Sequence, residues 1–247
     1  MKKFPDDGSF LDHLEELRQR ILLVLLWFAI ASCISYAFKN QILRIVLEPL
    51  VKSQEKIVFI SPVEPFFSII KISLLTGFLL SFPFLVYQTY VFVKPALESK
   101  QSKIITWFII SSQFLFYGGA AFAFFLIVPA GLRILFSFGA GMMHPMITVS
   151  HYLSFLIWMV LGLSIVFQVP VIMAFLVVSN IMSIETLIKT RKLVIVGSFI
   201  VAAIITPTTD IITQAIVAGV LIILYEITVI ILKVTYKRKS LKEMNLD

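Results

Sequence analysis

Six long apolar runs, 21–38, 66–93, 104–130, 152–178, 193–205 and 211–232, take up more than half of this chain. A soluble core needs apolar residues only at one face of each element, whereas unbroken runs of this length suit helices surrounded by lipid. Composition agrees, with 59% hydrophobic and 14% charged residues. The expectation is an all-α polytopic membrane protein with six transmembrane helices, forming a single membrane domain over 1–247.

The charge of +7 falls at the ends of these runs. Of 21 Lys and Arg, fifteen lie in the N-terminal segment, the loops 94–103 and 179–192 and the tail 233–247. The intervening loops, 39–65 and 131–151, hold five, and Lys71 sits near one end of the second run. The positive-inside rule then places both termini in the cytoplasm. No basic stripe alternates with exposed aromatics, which argues against nucleic acid as a partner.

Run lengths are uneven. The second has 28 residues, about 42 Å of helix at ~1.5 Å per residue, and must tilt or bend, with Pro83 as a kink site. The fifth has 13 residues, roughly 20 Å, short of a ~30 Å hydrocarbon core. Glu226 interrupts the sixth, so both of the last two helices are expected to be short, joined by "TPTTD". In the outer loop 39–65, Ile42, Ile45, Val46 and Leu50 fall on one helical face, predicting an amphipathic cap that Pro49 ends or bends.

Polar residues near the runs carry the chemistry. "SFLDHLEELRQR" predicts a helix over 1–20 capped by Ser9, with Asp12, Glu15 and Glu16 within about 60° of one another and Leu11, Leu14, Leu17 and Ile21 opposite. Acids near a helix start complement its dipole, but three at this spacing also repel one another. Such a face suits a cationic partner, and paired carboxylate–guanidinium bonds select Arg over Lys. Within the runs, Gln168 and Glu226 are the costly groups, and an intramembrane carboxylate is a functional candidate by default. Thr206, Asp210 and Gln214 crowd the last turn, where a helix cap is the simplest role.

Nucleotide-binding, zinc and nucleophile-elbow motifs are absent: "HLEE" lacks the second His of a zinc site, and no GxxxxGK[ST] or GxSxG occurs. No metal, cofactor or catalytic set is expected. "IASC" at 30–33 superficially resembles a lipoprotein cleavage site, but five further apolar runs follow it, so Cys33 is expected as a buried thiol in a membrane helix. The sequence patterns leave two functional classes open, a binding or translocating subunit and a small-molecule or ion permease. A permease of the repeat-built type would show a polar mid-membrane path, which is sparse here.

Taken in order, "HLEELRQR", "EPL", "SPVEPFFSIIK", "FPFLVYQTYVFVKPAL", "FYGGAAFAFFLIVP", "YLSF", "FQVPV" and "ITPTTDIITQ" resemble the TatC family, the receptor subunit of the twin-arginine protein translocase, over nearly the whole chain. The resemblance implies a concave, glove-like six-helix bundle and a non-enzymatic subunit of gradient-driven export. It implies binding of the twin-arginine signal peptides of folded cargo by Glu16, Arg18 and Phe92. Where many members carry an acid in the first cytoplasmic loop this chain has Gln101, and Glu98 is expected to take its place. The resemblance further implies docking of single-span TatA/TatB-type subunits around Thr206, Gln214, Gln168 and Glu226. It implies structural sensitivity at Pro49, Pro83 and Asp210, and a bacterial inner or plastid thylakoid membrane. Gln168 stands where many members have an intramembrane glutamate, so no protonation can occur at that side chain.

Overall fold

The computed structural model describes residues 7–51, 57–93, 102–137, 146–179, 181–206 and 210–244. Ten α-helices account for nearly all of them: α1 (Asp7–Ala37), α2 (Lys39–Val51), α3 (Glu64–Val93), α4 (Ser102–Phe122), α5 (Val128–Ser137), α6 (Val149–Val166), α7 (Val169–Val178), α8 (Ile184–Lys189), α9 (Arg191–Ile205) and α10 (Ile211–Met244). Among the described residues, five stretches are long and apolar enough to cross a bilayer: Leu11–Ala37, Glu64–Val93, Thr106–Ser137, Val149–Val178 and Ile211–Thr235.

Several boundaries depart from expectation. The N-terminal helix is not separate from the first span, since α1 runs through both, and Ser9 lies inside it rather than capping it. The last helix is not short. Glutamate is a good helix former, and the Glu226 carboxylate meets Arg191 Nη2 at 3.0 Å, so the charge is partnered without the helix ending. Only α9, at 15 residues, remains short. The third run continues from α4 through a π-helical turn, Ala123–Ile127, into α5. The fourth is broken at Phe167–Gln168, because Pro170 has no N–H to continue the ladder and starts α7 instead. Pro83 does not interrupt α3, and α2 passes through Pro49 to Val51. On α2, Val46 and Leu50 are buried as expected, but Ile45 is exposed and Leu43 takes its place on the half-buried side. One element was missed: β1 (Ile57–Val58) pairs in parallel with β2 (Ile147–Thr148). Cys33 lies on α1 but is exposed, not buried.

The chain divides into two compact units, 1–46 with 66–113, and 47–65 with 114–247. In the first, α1 and α3 pack antiparallel. As the α1 position rises through His13, Arg20, Phe28 and Ser32, its α3 neighbour falls through Phe92, Gln88, Phe78 and Gly77. Gly77 sets the closest approach: a Cβ there would lie 2.2 Å from Ser32 Oγ and 2.7 Å from Ser32 Cα. Arg20, Val24, Phe28, Ala31 and Ser35 form the inward stripe of α1 at helical spacing, and nearly all its other residues are exposed.

In the second unit α6 is central. Leu153, Leu156, Met159, Val160 and Leu163 are buried along it. Gly162 lets α9 approach, since a Cβ there would lie 2.4 Å from a methyl of Ile205. Thr148 caps α6 by accepting from His151 N. Glu64 adds a second cap, one oxygen accepting from Ser150 N and the other from Ile60 N, each at 2.9 Å. Helices α7, α8 and α10 share a cluster of Met173, Val177, Leu187, Tyr225, Val229 and Leu232. Tyr225 OH donates to the Leu187 carbonyl, fastening α8 to α10.

Candidate functional site

Two groups of polar residues stand out, one in each unit. The first lies where the beginning of α1 meets the end of α3. Glu16 Oε1 accepts from Arg20 Nε at 3.0 Å and from Arg20 Nη2 at 2.5 Å. The third donor, Nη1, reaches Gln88 Oε1 on α3 at 2.9 Å. Helical spacing of four residues makes the first contact local, and antiparallel packing makes the second possible. The Gln88 side chain is only 8% exposed, so its amide is held by the fold. Glu16 Oε2 is less engaged, with His13 Nδ1 at 3.8 Å, and His13 packs against Phe92 with ring centroids 5.9 Å apart.

Beneath this polar chain lies an open cavity of about 350 Å³ lined by Leu17, Arg20, Ile21, Val24, Leu25, Leu85, Gln88, Thr89 and Phe92. Its walls are apolar apart from Arg20, Gln88 and Thr89. A carboxylate bonded to one wall residue of a greasy groove, with an amide in the opposite wall, can bind a cation followed by apolar residues. The structure links Glu16 to Phe92 through His13, which lies near the carboxylate and packs against the Phe92 ring. Arg18 is exposed on α1, as are Asp12 and Glu15. Glu98 and Gln101 lie outside the described residues. Arg20, Gln88 and His13 were missed. The signal for Arg20 was its spacing of four from Glu16, but nothing in the sequence pairs Gln88 with either.

The second group surrounds α9 and α10. Asp210 Oδ2 accepts from Thr213 N at 2.7 Å, capping α10. Thr206 ends α9 with its hydroxyl donating to the Ala202 carbonyl at 2.8 Å, and it is only 5% exposed. Gln214 is more accessible, and its Nε2 donates to the Phe199 carbonyl at 3.2 Å across the helix pair. Glu226 is held by Arg191, both partly exposed. Gln168 sits at the α6–α7 break, half-buried, with its carbonyl accepting from Ile172 N at 3.0 Å. An apolar cavity of about 370 Å³ lies among α7, α8, α9 and α10, and includes Thr190 and Tyr225.

Five long apolar helices, most of their outer side chains exposed hydrophobics, define an all-helical multi-pass membrane protein. The family described as Sec-independent protein translocase protein (TatC) matches residues 12–219. A TatC protein of Carboxydothermus hydrogenoformans is 36% identical over 91% of this chain and 93% of its own length. TatC of Aquifex aeolicus is 34% identical over 93% and 96%. A tatC-like protein, ycf43, of Gracilaria tenuistipitata var. liui is 36% identical over 95% and 98%. The fold matches a crystal structure of the twin-arginine translocase receptor TatC in DDM with a TM-score of 0.81, at 35% identity, over 89% of this chain and 98% of that one. The chain belongs to the TatC family, and is thus a component of a protein translocase.

Proposed function

We propose that this chain is the receptor subunit of the twin-arginine translocase, binding the signal peptides of folded cargo at the α1–α3 cavity. The carrying observation is Glu16 bonded to Arg20, which lines that cavity together with Gln88 and Phe92. A guanidinium of the peptide pairs with Glu16, and the apolar residues that follow enter the groove between Leu17, Leu25 and Leu85. Arg18 lies next to the site, and Glu98 stands in for the acid absent at Gln101. The N-terminal end of α1, the loops 94–103 and 179–192 and the tail face the cytoplasm, so the site opens to newly made cargo. The short α9 makes a sixth crossing, giving six membrane spans in one membrane domain. TatA/TatB-type single-span subunits dock along α9 and α10, with Gln214 the more accessible polar contact and Thr206, Gln168 and Glu226 nearby. The transmembrane gradient then drives export.

Peptide binding to the purified protein tests the receptor role. Glu16→Ala is expected to weaken a twin-arginine peptide by about 2 kcal/mol, near the lower end for breaking a desolvated charged pair, because Glu16 is partly exposed. Replacing both peptide arginines by lysines is expected to weaken binding to the wild type, since an ammonium cannot match the carboxylate in two parallel bonds. Undiminished binding after both changes would end the receptor assignment for this face.

A further inference from the structure

The Glu16 carboxylate already holds a guanidinium of its own chain. Two Arg20 nitrogens converge on Oε1, and the third donor group is tethered to the buried Gln88. Arg20 therefore satisfies at Glu16 the same chemistry that an incoming arginine offers, and it lines the cavity that such a peptide would enter. We propose that Arg20 is an internal competitor: a signal arginine binds by exchanging with Arg20 on Glu16, which frees Arg20 to swing off Gln88 and open the cavity mouth. This inference rests on the receptor reading above.

Exchange has a quantitative signature. If only the fraction of molecules with Glu16 released can take a ligand, the apparent Kd rises by the inverse of that fraction. The factor is the same for every ligand that needs the carboxylate, whatever its own strength. Arg20 thus sets a threshold without altering the ratio of affinities. A residue that touched the peptide directly would change that ratio, because arginine and lysine present different donor geometry. A merely structural residue would weaken both ligands when lost.

The experiment measures Kd for a twin-arginine and a twin-lysine peptide on the purified full-length protein, wild type, Arg20→Gln and Arg20→Lys, with thermal unfolding recorded alongside. Arg20→Gln is expected to tighten both peptides by the same factor, on the order of twentyfold for a helical ion pair with an added charged hydrogen bond. Arg20→Lys should fall between, since an ammonium keeps the charge but not the three-point hold, and it serves if the Gln variant unfolds. In a Glu16→Ala background Arg20→Gln is expected to tighten both peptides by a much smaller factor, since only the Gln88 tether is left to release. Weaker or unchanged binding in folded Arg20→Gln, or unequal factors for the two peptides, overturns the exchange while leaving the receptor role intact. Binding that ignores Glu16 as well removes both.

Discussion

At the scale of single residues, charges in and beside the apolar runs are held in pairs, one local in sequence and the other joined only by the fold. Glu226 with Arg191 is the second such pair after Glu16 with Arg20. Lone intramembrane carboxylates are costly, and a partner from the neighbouring helix lowers that cost. Glu226→Leu is expected to destabilise the protein by about 1 kcal/mol, because the pair is partly exposed and the Arg191 charge can still reach solvent. Arg191→Glu combined with Glu226→Arg is expected to recover most of the loss in a thermal unfolding assay. If the exchanged pair is no more stable than either single variant, the contact contributes nothing. The sequence marked Glu226 by its cost inside an apolar run and Glu16 as one of three acids on a helix face, which the family resemblance then singled out. It could not supply their partners' full set, since Gln88 is 68 residues from Arg20 and only antiparallel packing joins them.

Among elements, long apolar runs were legible and their interruptions were less so. A carboxylate inside the last run suggested a short helix, yet α10 continues because helix propensity and a partner outweigh one charge. Conversely, Gln168 was visible as a polar residue, but the break beside it follows from the missing N–H of Pro170. The β1–β2 pair escaped because two residues per strand leave no alternation to detect. What fixes that region is Glu64, whose two oxygens serve backbone donors 90 positions apart in the chain, Ile60 N and Ser150 N. Glu64→Ala leaves both N–H groups without their acceptor and is expected to lower stability. Glu64→Gln keeps one acceptor oxygen and should cost less. Chemical or thermal unfolding in detergent checks the order, and a Gln variant as damaging as Ala would show that the carboxylate is not acting as an acceptor for both amides.

For the whole molecule, the open physical question is how a helix of 15 residues serves in a membrane protein. At ~1.5 Å per residue α9 spans about 22 Å, against ~30 Å of hydrocarbon. Its neighbours do not share the deficit, since the apolar part of α10 runs from Ile211 to Thr235. A short crossing beside a full-length one thins the bilayer locally or draws polar flanks inward. Both ends of α9 are polar: Lys189 precedes it and Arg191 and Lys192 begin it, while Thr206 and the Asp210 cap of α10 follow it. Lys and Arg side chains can extend toward the interface, and they sit at only one end, which is the asymmetry the positive-inside rule uses. The expectation is that α9 crosses, with 185 on the cytoplasmic side and 210 on the other. Single cysteines at 185 and at 211, in a Cys33→Ala background, report this by reaction with a membrane-impermeant maleimide on intact cells and on inverted vesicles, and leave the Asp210 cap in place. Position 185 should label only in inverted vesicles and 211 only in intact cells. Labelling of both from one side would mean that α9 does not cross, and would put α10 in the opposite orientation or leave it as a re-entrant partner of α9.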